Sequence, residues 1–353
     1  MDWSGMLPEL LAIIAQKHIV FYEDYYSFAG VSKSWHLAAI QAAKVHKFPN
    51  GPPSRFPSLM LAQKTKDKEF RELLLLSNKN IRKKSIRKIR LPQIYDKVFM
   101  TSCGWLVTVG KDFSSQLINP LSCETINLPK VNTFDPEYFL REDSWYGGIR
   151  KLILLTSNNQ STLVLPLVVV SWGWDRQLGF CQPGDIKWTR VKRGWGPNIL
   201  DFTYYNGKVY CYGMRNIIYA WDVHRKDQTM VKISVVPKDF YYGTIAPEAY
   251  LIGMDDGERK RLLVLIREGK RVKDTFKTKI FLVFAYDLEK RTWSKVKDLG
   301  TKALFVGDAS FLIDQDTTGV IKGNSIYFTD DAYFEHGLPD GNGRMRDMGI
   351  YHL

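Results

Sequence analysis

Two short phrases keep returning along most of this chain, and their recurrence narrows the fold more than any other feature. One is a small turn feeding an aromatic strand: CGWLVTVG from Cys103, NGKVYCYG from Asn206 and KGNSIYFTDD from Lys322. The other is an acidic or Asn turn followed by a strand ending in an apolar or Trp residue: NPLSCETINLP from Asn119, CQPGDIKWTRV from Cys181 and AYDLEKRTWSKV from Ala285. Tyr204 to Asp222 reads as strand, a turn at Gly207, strand, a second turn at Arg215-Asn216, strand. Runs such as Val209-Tyr210-Cys211-Tyr212 are apolar without alternation, as in strands covered on both faces. Radially stacked blades cover strands that way without helices and leave only short edges. Helical periodicity is nearly absent after Leu76, which argues against an α/β sheet with crossover helices. At roughly forty to fifty residues per blade the body holds about five to seven blades. Spacing between like phrases is uneven, and a pair of β-sandwiches also fits the pattern.

The opening of the chain follows a different period. Leu7, Leu10, Leu11 and Ile14 recur at helical spacing, with Pro8 in the first turn where a missing amide hydrogen costs little. Beyond Asp24, a candidate N-cap, Phe28, Val31 and Trp35 make a second apolar helical face. Two such short helices cannot bury both faces against each other. The surplus meets either the rest of the chain or another protein, and periodicity favours neither. The expected organisation is a helical module over 1–45, a linker over 46–55 and the β body over 56–353.

Composition excludes several classes. At 45% apolar and 13% aromatic the chain is globular rather than disordered. The longest apolar stretch, TLVLPLVVVSWGW from Thr162, is interrupted by Pro166 and bounded by Asp175, short of a membrane helix. Asp2 and Glu9 stand where a secretory leader would be basic, so no leader is expected. Cys103, Cys123, Cys181 and Cys211 never form C-x-x-C; they read as reduced thiols buried in strands, and the expected compartment is cytosol or nucleus. The formal charge is +13, much of it in NKNIRKKSIRKIRL from Asn78, with a second basic stretch in REGKRVKDTFKTK from Arg267. Ile81, Ser85, Ile86, Ile89 and Leu91 interleave the first run as in a strand edge protected by Lys and Arg, a reading preferred to a nucleic-acid interface.

The segment from Met6 to Trp35 resembles an F-box, whose pattern opens Leu-Pro, continues Glu-Leu-Leu and Ile, and closes Val-Cys-(Lys/Arg)-x-Trp. Glu9-Leu10-Leu11, Ile14 and Val31-Ser32-Lys33-Ser34-Trp35 match it, while Met6 and Leu7 occupy the Leu and Pro positions and Ser32 replaces Cys. The body resembles the propeller domain of plant F-box proteins of the KIB type. The matching words are FPSLML from Phe56, CGWLVTVG, LINPLSCETINLP, LGFCQPGDIKWTRV, FTYYNGKVYCYGMRNIIYAWDV, VKDLGTKALFVGDASFLI, KGNSIYFTDD and DMGIYHL, in family order. The family usually continues past the last of these, so either the last blade is expected to be incomplete or a strand from after Phe56 completes it.

The resemblance implies the substrate-recognition subunit of an SCF-type ubiquitin ligase. Met6, Leu10, Leu11, Ile14, Val31 and Trp35 would dock a Skp-type adaptor, and through it cullin, while the propeller binds an unidentified target protein. The alternative is a non-ligase propeller interaction module with a degenerate F-box. Neither needs a cofactor or a membrane.

No catalytic or metal motif accompanies these features. The six His form no H-E-x-x-H or H-x-H pair, and DQDTTG from Asp314 lacks the Glu that closes a calcium loop. GLPDGNGR from Gly337 follows no strand–helix arrangement that cradles phosphate, and Asp255-Asp256 and Asp330-Asp331 sit in turn contexts. A propeller enzyme and a nucleic-acid scaffold on the basic run are therefore the lesser hypotheses.

Overall fold

A computed structural model describes residues 5–18, 28–45, 57–60, 69–75, 86–120, 124–134, 149–155, 166–173, 176–192, 198–225, 228–237, 248–272, 275–314, 320–329 and 347–353. It divides into two compact units, residues 1–63 with 70–90, and residues 64–69 with 91–353. The smaller unit holds helices α1 (Pro8–His18) and α2 (Lys33–Val45) and a three-stranded antiparallel sheet of β1 (Ser58–Met60), β2 (Phe70–Leu75) and β3 (Ile86–Arg90). The division differs from the expected break at 46–55, because these three strands group with the helices. The described end of the basic run is β3, an edge strand of this sheet with Lys88 and Arg90 exposed, as the interleaving predicts.

The larger unit is built from five four-stranded sheets. The first four are antiparallel meanders: β4 (Val98–Ser102) to β7 (Thr125–Leu128) by way of β5 (Trp105–Val109) and β6 (Ser115–Ile118); β8 (Ile149–Leu155), β9 (Leu167–Trp172), β10 (Gln177–Cys181) and β11 (Thr189–Arg190); β12 (Ile199–Tyr205), β13 (Lys208–Gly213), β14 (Ile217–Asp222) and β15 (Val231–Val235); and β16 (Glu248–Asp255), β17 (Lys260–Val272), β18 (Thr275–Asp287) and β19 (Trp293–Val296). The fifth has the order β21-β20-β22-β23, from β20 (Lys302–Val306), β21 (Phe311–Asp314), β22 (Ser325–Phe328) and β23 (Gly349–His352). Its β20 and β22 are parallel. Strands β4, β8, β12, β16 and β21 are successive neighbours, so one strand of each sheet lines up along an inner track. This is propeller architecture. Among the described residues the five sheets of this unit fall inside the expected range of blades and are unlike two facing layers. All four strands of the last sheet come from residues 302–352, which corrects the expectation of an incomplete blade or one borrowing a strand from after Phe56.

The recurring phrases have set places in the meander blades, whereas KGNSIYFTDD instead leads into β22 of the last sheet. The first supplies the hairpin between first and second strands: Cys103-Gly104 (φ 50° and 79°) and Asn206-Gly207 (φ 47° and 80°) place two consecutive residues in the left-handed region. That is the turn whose twist matches paired strands. Cys103 therefore lies in an exposed turn and not in a strand as expected, whereas Cys181 and Cys211 are buried. The second phrase joins third to fourth strand. Asp287 accepts the backbone N–H groups of Glu289 and Lys290 (3.0 and 2.8 Å), and Asp185 accepts that of Gln182 (2.8 Å).

The Trp closing this phrase reaches the preceding blade. Trp188 donates to the Pro129 carbonyl just past β7 (2.8 Å), and Trp293 donates to Ser234 on β15 (2.8 Å). Phe134 stacks on Trp172 and Trp188 with ring centres 4.9 and 4.7 Å away. Gly179 is required beneath it, because a Cβ there would come within 1.9 Å of the Phe134 ring.

Two buried charges tie blades together. On β8 and β12 the ladders shift register just before Lys151 and Asp201, and these bulges accompany an ion pair between the two side chains. The second carboxylate oxygen of Asp201 accepts the Leu251 N–H on β16 (2.6 Å). The other charge is Arg267 on β17. Its guanidinium donates to Thr278 (2.8 Å), Tyr250 (3.0 Å), Glu248 (3.2 Å), the Thr329 carbonyl (3.0 Å) and Asp347 (3.0 Å), and it lies over the Phe328 ring. In sequence Arg267 only opens a second basic stretch, yet it is 1% exposed. Nothing in composition distinguishes it from its neighbours.

Arg267 and Asp347 together clamp the chain just before β23. Burial raises the Asp347 carboxyl's pKa, but hydrogen bonds from Thr278 and from Arg267 outweigh it and hold the group below its ordinary value. Arg267→Met leaves the buried Asp347 carboxylate behind and should cost about 3–5 kcal/mol of stability by urea unfolding. Asp347→Asn should cost less and show its pH signature. A carboxyl depressed on folding stabilises above its unfolded pKa of about 3.9, and that contribution fades as pH falls through the lower folded value. The gap between Asp347→Asn and the native chain should therefore narrow below about pH 4; a constant gap would remove the charge from the explanation.

Candidate functional site

The helical module is where the candidate residues cluster. Leu11 sends its N–H to the Leu7 carbonyl (3.1 Å), opening α1 with Pro8 in the first turn as read. The second apolar face is corrected. Phe28, Val31 and Trp35 do not share one helix: the chain is helical at Phe28 and Ala29, turns at Gly30, and starts α2 at Lys33. The cause is Ser32. Its hydroxyl accepts the Trp35 N–H (3.4 Å) and its carbonyl accepts the His36 N–H (2.9 Å), so it is the N-cap of α2. The residue read as a departure from the Cys pattern thus starts a helix, and α2 then runs on to Val45. Asp24, the expected cap, lies outside the described residues.

The module has its own interior of Leu11, Ala15, Phe28, Ala38 and Ala39, with Met6, Ile14, Ala29 and Trp35 packed at its margin. The Trp35 and Phe28 rings are 4.5 Å apart. Of the six residues expected at the docking face, Leu10 and Val31 are 49% and 53% exposed, Met6, Ile14 and Trp35 are half-buried, and Leu11 is fully enclosed. Leu11 therefore supports the face from within. Three apolar residues not among those six are also on the outside: Leu7 at 63%, Ile13 at 47% and Leu37 at 65% exposed. Leu7 was visible in the helical spacing, whereas Leu37 needed the Ser32 cap to be recognised. Beside them, Ala29, Gly30, Ser32, Lys33, His36 and Leu37 line a shallow open groove.

At about 100° per residue, Leu11 and Ala15 point to one side of α1, while Leu10 and Ile13 lie progressively further around. The apolar sector of α1 is wider than its interior contacts use. Five large apolar side chains on two short helices and the segments leading into them form an excess that a small module does not normally leave in water.

In the larger unit, no group of three or more His, Cys, Asp or Glu is placed to hold a metal ion among the described residues. No described helix is long and apolar enough to cross a membrane. Asp255 and Asp256 shape the β16–β17 turn, accepting the Gly257 and Arg259 N–H groups (2.9 and 2.8 Å), and Asp256 pairs with Arg261. Asp314 pairs with Lys302 (2.9 Å). Burial pushes the Cys181 and Cys211 thiols well up, away from nucleophilic thiolate. Asp330-Asp331, Cys123 and the glycine-rich stretch from Gly337 lie outside the described residues.

Residues 76–352 match the KIB1-4 beta-propeller family. The chain belongs to that family.

Its relatives in Arabidopsis thaliana carry F-box names. One putative F-box protein is 21% identical over 94% of this chain and 86% of its own length, and a second is 23% identical over 94% and 84%. F-box only protein 7 is 21% identical over 93% of this chain and 85% of its own length. These alignments extend over more of this KIB1-4 propeller chain than residues 76–352 alone. The likeness to plant F-box proteins with a KIB-type propeller, read from the words of the sequence, is borne out.

The division between inner and outer apolar residues is testable in the full-length chain. Leu11→Ala should destabilise the module by about 2–5 kcal/mol, as a fully buried leucine does. Leu10→Ala should stay within about 0.5 kcal/mol, as expected of an exposed site. Hydrogen exchange of the α1 and α2 amides reads both. Equal loss of protection in the two variants would contradict the packing.

Proposed function

We propose that this KIB1-4 propeller protein is the substrate-receptor subunit of an SCF-type ubiquitin ligase. The head grips a Skp-type adaptor, and through it cullin, while the propeller holds a target protein. The observation that carries this reading is the apolar surplus of the head. Leu7, Leu10, Ile13, Val31 and Leu37 stand outside an interior already filled by Leu11, Ala15, Phe28, Ala38 and Ala39. Covering that surface stabilises a complex through the hydrophobic effect, with hot-spot side chains each contributing about 1–2 kcal/mol or more.

Met6, Ile14 and Trp35 contribute at the margin, and Leu11 acts by shaping the helix pair. The chain does no covalent chemistry in this role. Its contribution is effective concentration, since two proteins held on one scaffold react as if intramolecularly. The cytosol or nucleus is the proposed place of work, where the thiols of Cys103, Cys181 and Cys211 stay reduced.

The exposed residues make a sharper test than the half-buried Trp35, whose loss would also disturb Phe28. The variant Leu10→Asp, Val31→Asp, Leu37→Asp should keep the native melting temperature and lose capture of a co-expressed Skp-type adaptor. Undiminished capture by the folded variant would leave the propeller as an interaction module with a degenerate F-box.

A further inference from the structure

Strands β17 and β18 are 13 residues long, whereas their neighbours β16 and β19 have 8 and 4. The ladder of β16 on β17 ends at Glu248–Arg267, and that of β19 on β18 ends at Val283–Val296. Beyond those points β17 and β18 continue to pair with each other as far as Val272–Thr275, and no third strand joins them among the described residues. The run from Arg267 to Val272 carries this two-stranded arm roughly 17 Å past the blade at ~3.3 Å per residue.

An isolated two-stranded ribbon is marginal in water, and this one is mounted on a built base. Arg267, at the point where the arm leaves the blade, is enclosed by Thr278, Tyr250, Glu248 and Asp347. Asp347 also accepts the Thr278 N–H (2.7 Å), fastening the other strand of the arm.

The arm is basic. Residues 268–280 contain Lys270, Arg271, Lys273, Lys277 and Lys279 against Glu268 and Asp274, five positive and two negative charges, net +3. Lys270, Lys277 and Lys279 are exposed, and Lys270 stands directly opposite Lys277 in the ladder. Like charges in that relation destabilise a strand pair. Lys277 lies 4.0 Å from one Asp347 oxygen while Arg267 and Thr278 hold the other, and Lys270 and Lys279 add further charge alongside. Exposed cations on an arm braced at its base, with no third strand beside it among the described residues, suit contact with an acidic partner.

We propose that the β17–β18 arm is the docking element for an acidic segment of the protein that the propeller recruits, an inference that rests on the receptor reading. Charge complementarity supplies the attraction and steers encounter. Glu268 and Asp274 punctuate the run, and a peptide can space its carboxylates around them. A nucleic-acid strand, charged at every phosphate, meets them with like charge.

The test uses the full-length chain and a fluorescein-labelled peptide of alternating glutamate and serine, with a glutamine-for-glutamate peptide as control, read by anisotropy across a salt series. Binding of the acidic peptide alone, weakening with salt, is expected, and Lys270→Glu with Lys279→Glu should weaken it by about tenfold. Lys270→Arg with Lys279→Arg should retain it. Undiminished binding by the charge-reversed pair at an unchanged melting temperature would overturn the proposal, as would failure of the native chain to bind at low salt. Tighter binding of a single-stranded oligonucleotide, lost in the same variant, would also overturn it and assign the arm to nucleic acid. Adaptor capture is measured on the same proteins. Peptide binding without capture supports the arm and removes the receptor role; capture without peptide binding does the reverse.

Discussion

One buried carboxylate holds three blades in register. Asp201 on β12 meets the Lys151 ammonium from β8 with one oxygen and the Leu251 N–H of β16 with the other, so a single side chain spans three consecutive inner strands. Burial pushes its pKa up, and the ammonium and the N–H oppose that push. The net gain from such a pair is small, because both charges lose water. What the pair provides is specificity. Sliding β12 by one residue would turn Asp201 to the other face of its strand and leave both charges unpaired in the interior. The apolar faces between blades would tolerate some sliding; the ion pair would not.

The outer strands are held by a different device. Trp188 and Trp293 each enter the last strand of a blade and donate an indole N–H to the preceding blade's outer edge. A large ring buries apolar area against its own sheet while its polar atom finds a fixed partner next door. Polar contacts on the inner track and indoles on the rim thus fix the angle between blades from both ends, and the interior between them is filled by aliphatic layers such as Leu251, Leu262, Val264 and Ile266.

What could be read from the residues follows from how local each signal is. Asn206-Gly207 and Asp287 announce their turns because the conformation is dictated by those residues themselves. The blades followed from repeating such turns. Arg267 could not be told from the lysines after it, since its burial depends on Asp347, eighty positions away in sequence. In the head, spacing placed Leu10 and Leu11 on one apolar face. Which of the two is inside depends on Ala38 and Ala39, which arrive from a helix whose start is set by Ser32. Periodicity gives a face, and only the partner helix divides it into interior and exterior.

The two proposed surfaces work by opposite physics, and each suits its task. The head presents aliphatic side chains whose burial is insensitive to salt and cares little about the order of residues on the partner, which fits a contact shared by many receptors that dock one common adaptor. The arm presents ammonium groups at fixed spacing on a ribbon braced by Arg267, where affinity is modest but encounter is fast and the pattern of charge selects. Exchanging these roles would serve neither. A charged adaptor contact would fail as ionic conditions changed, and an apolar target contact on a bare two-stranded ribbon would invite self-association along its free edges. The placement of apolar excess on the head and cationic excess on the hairpin is what the proposed receptor role would require of each.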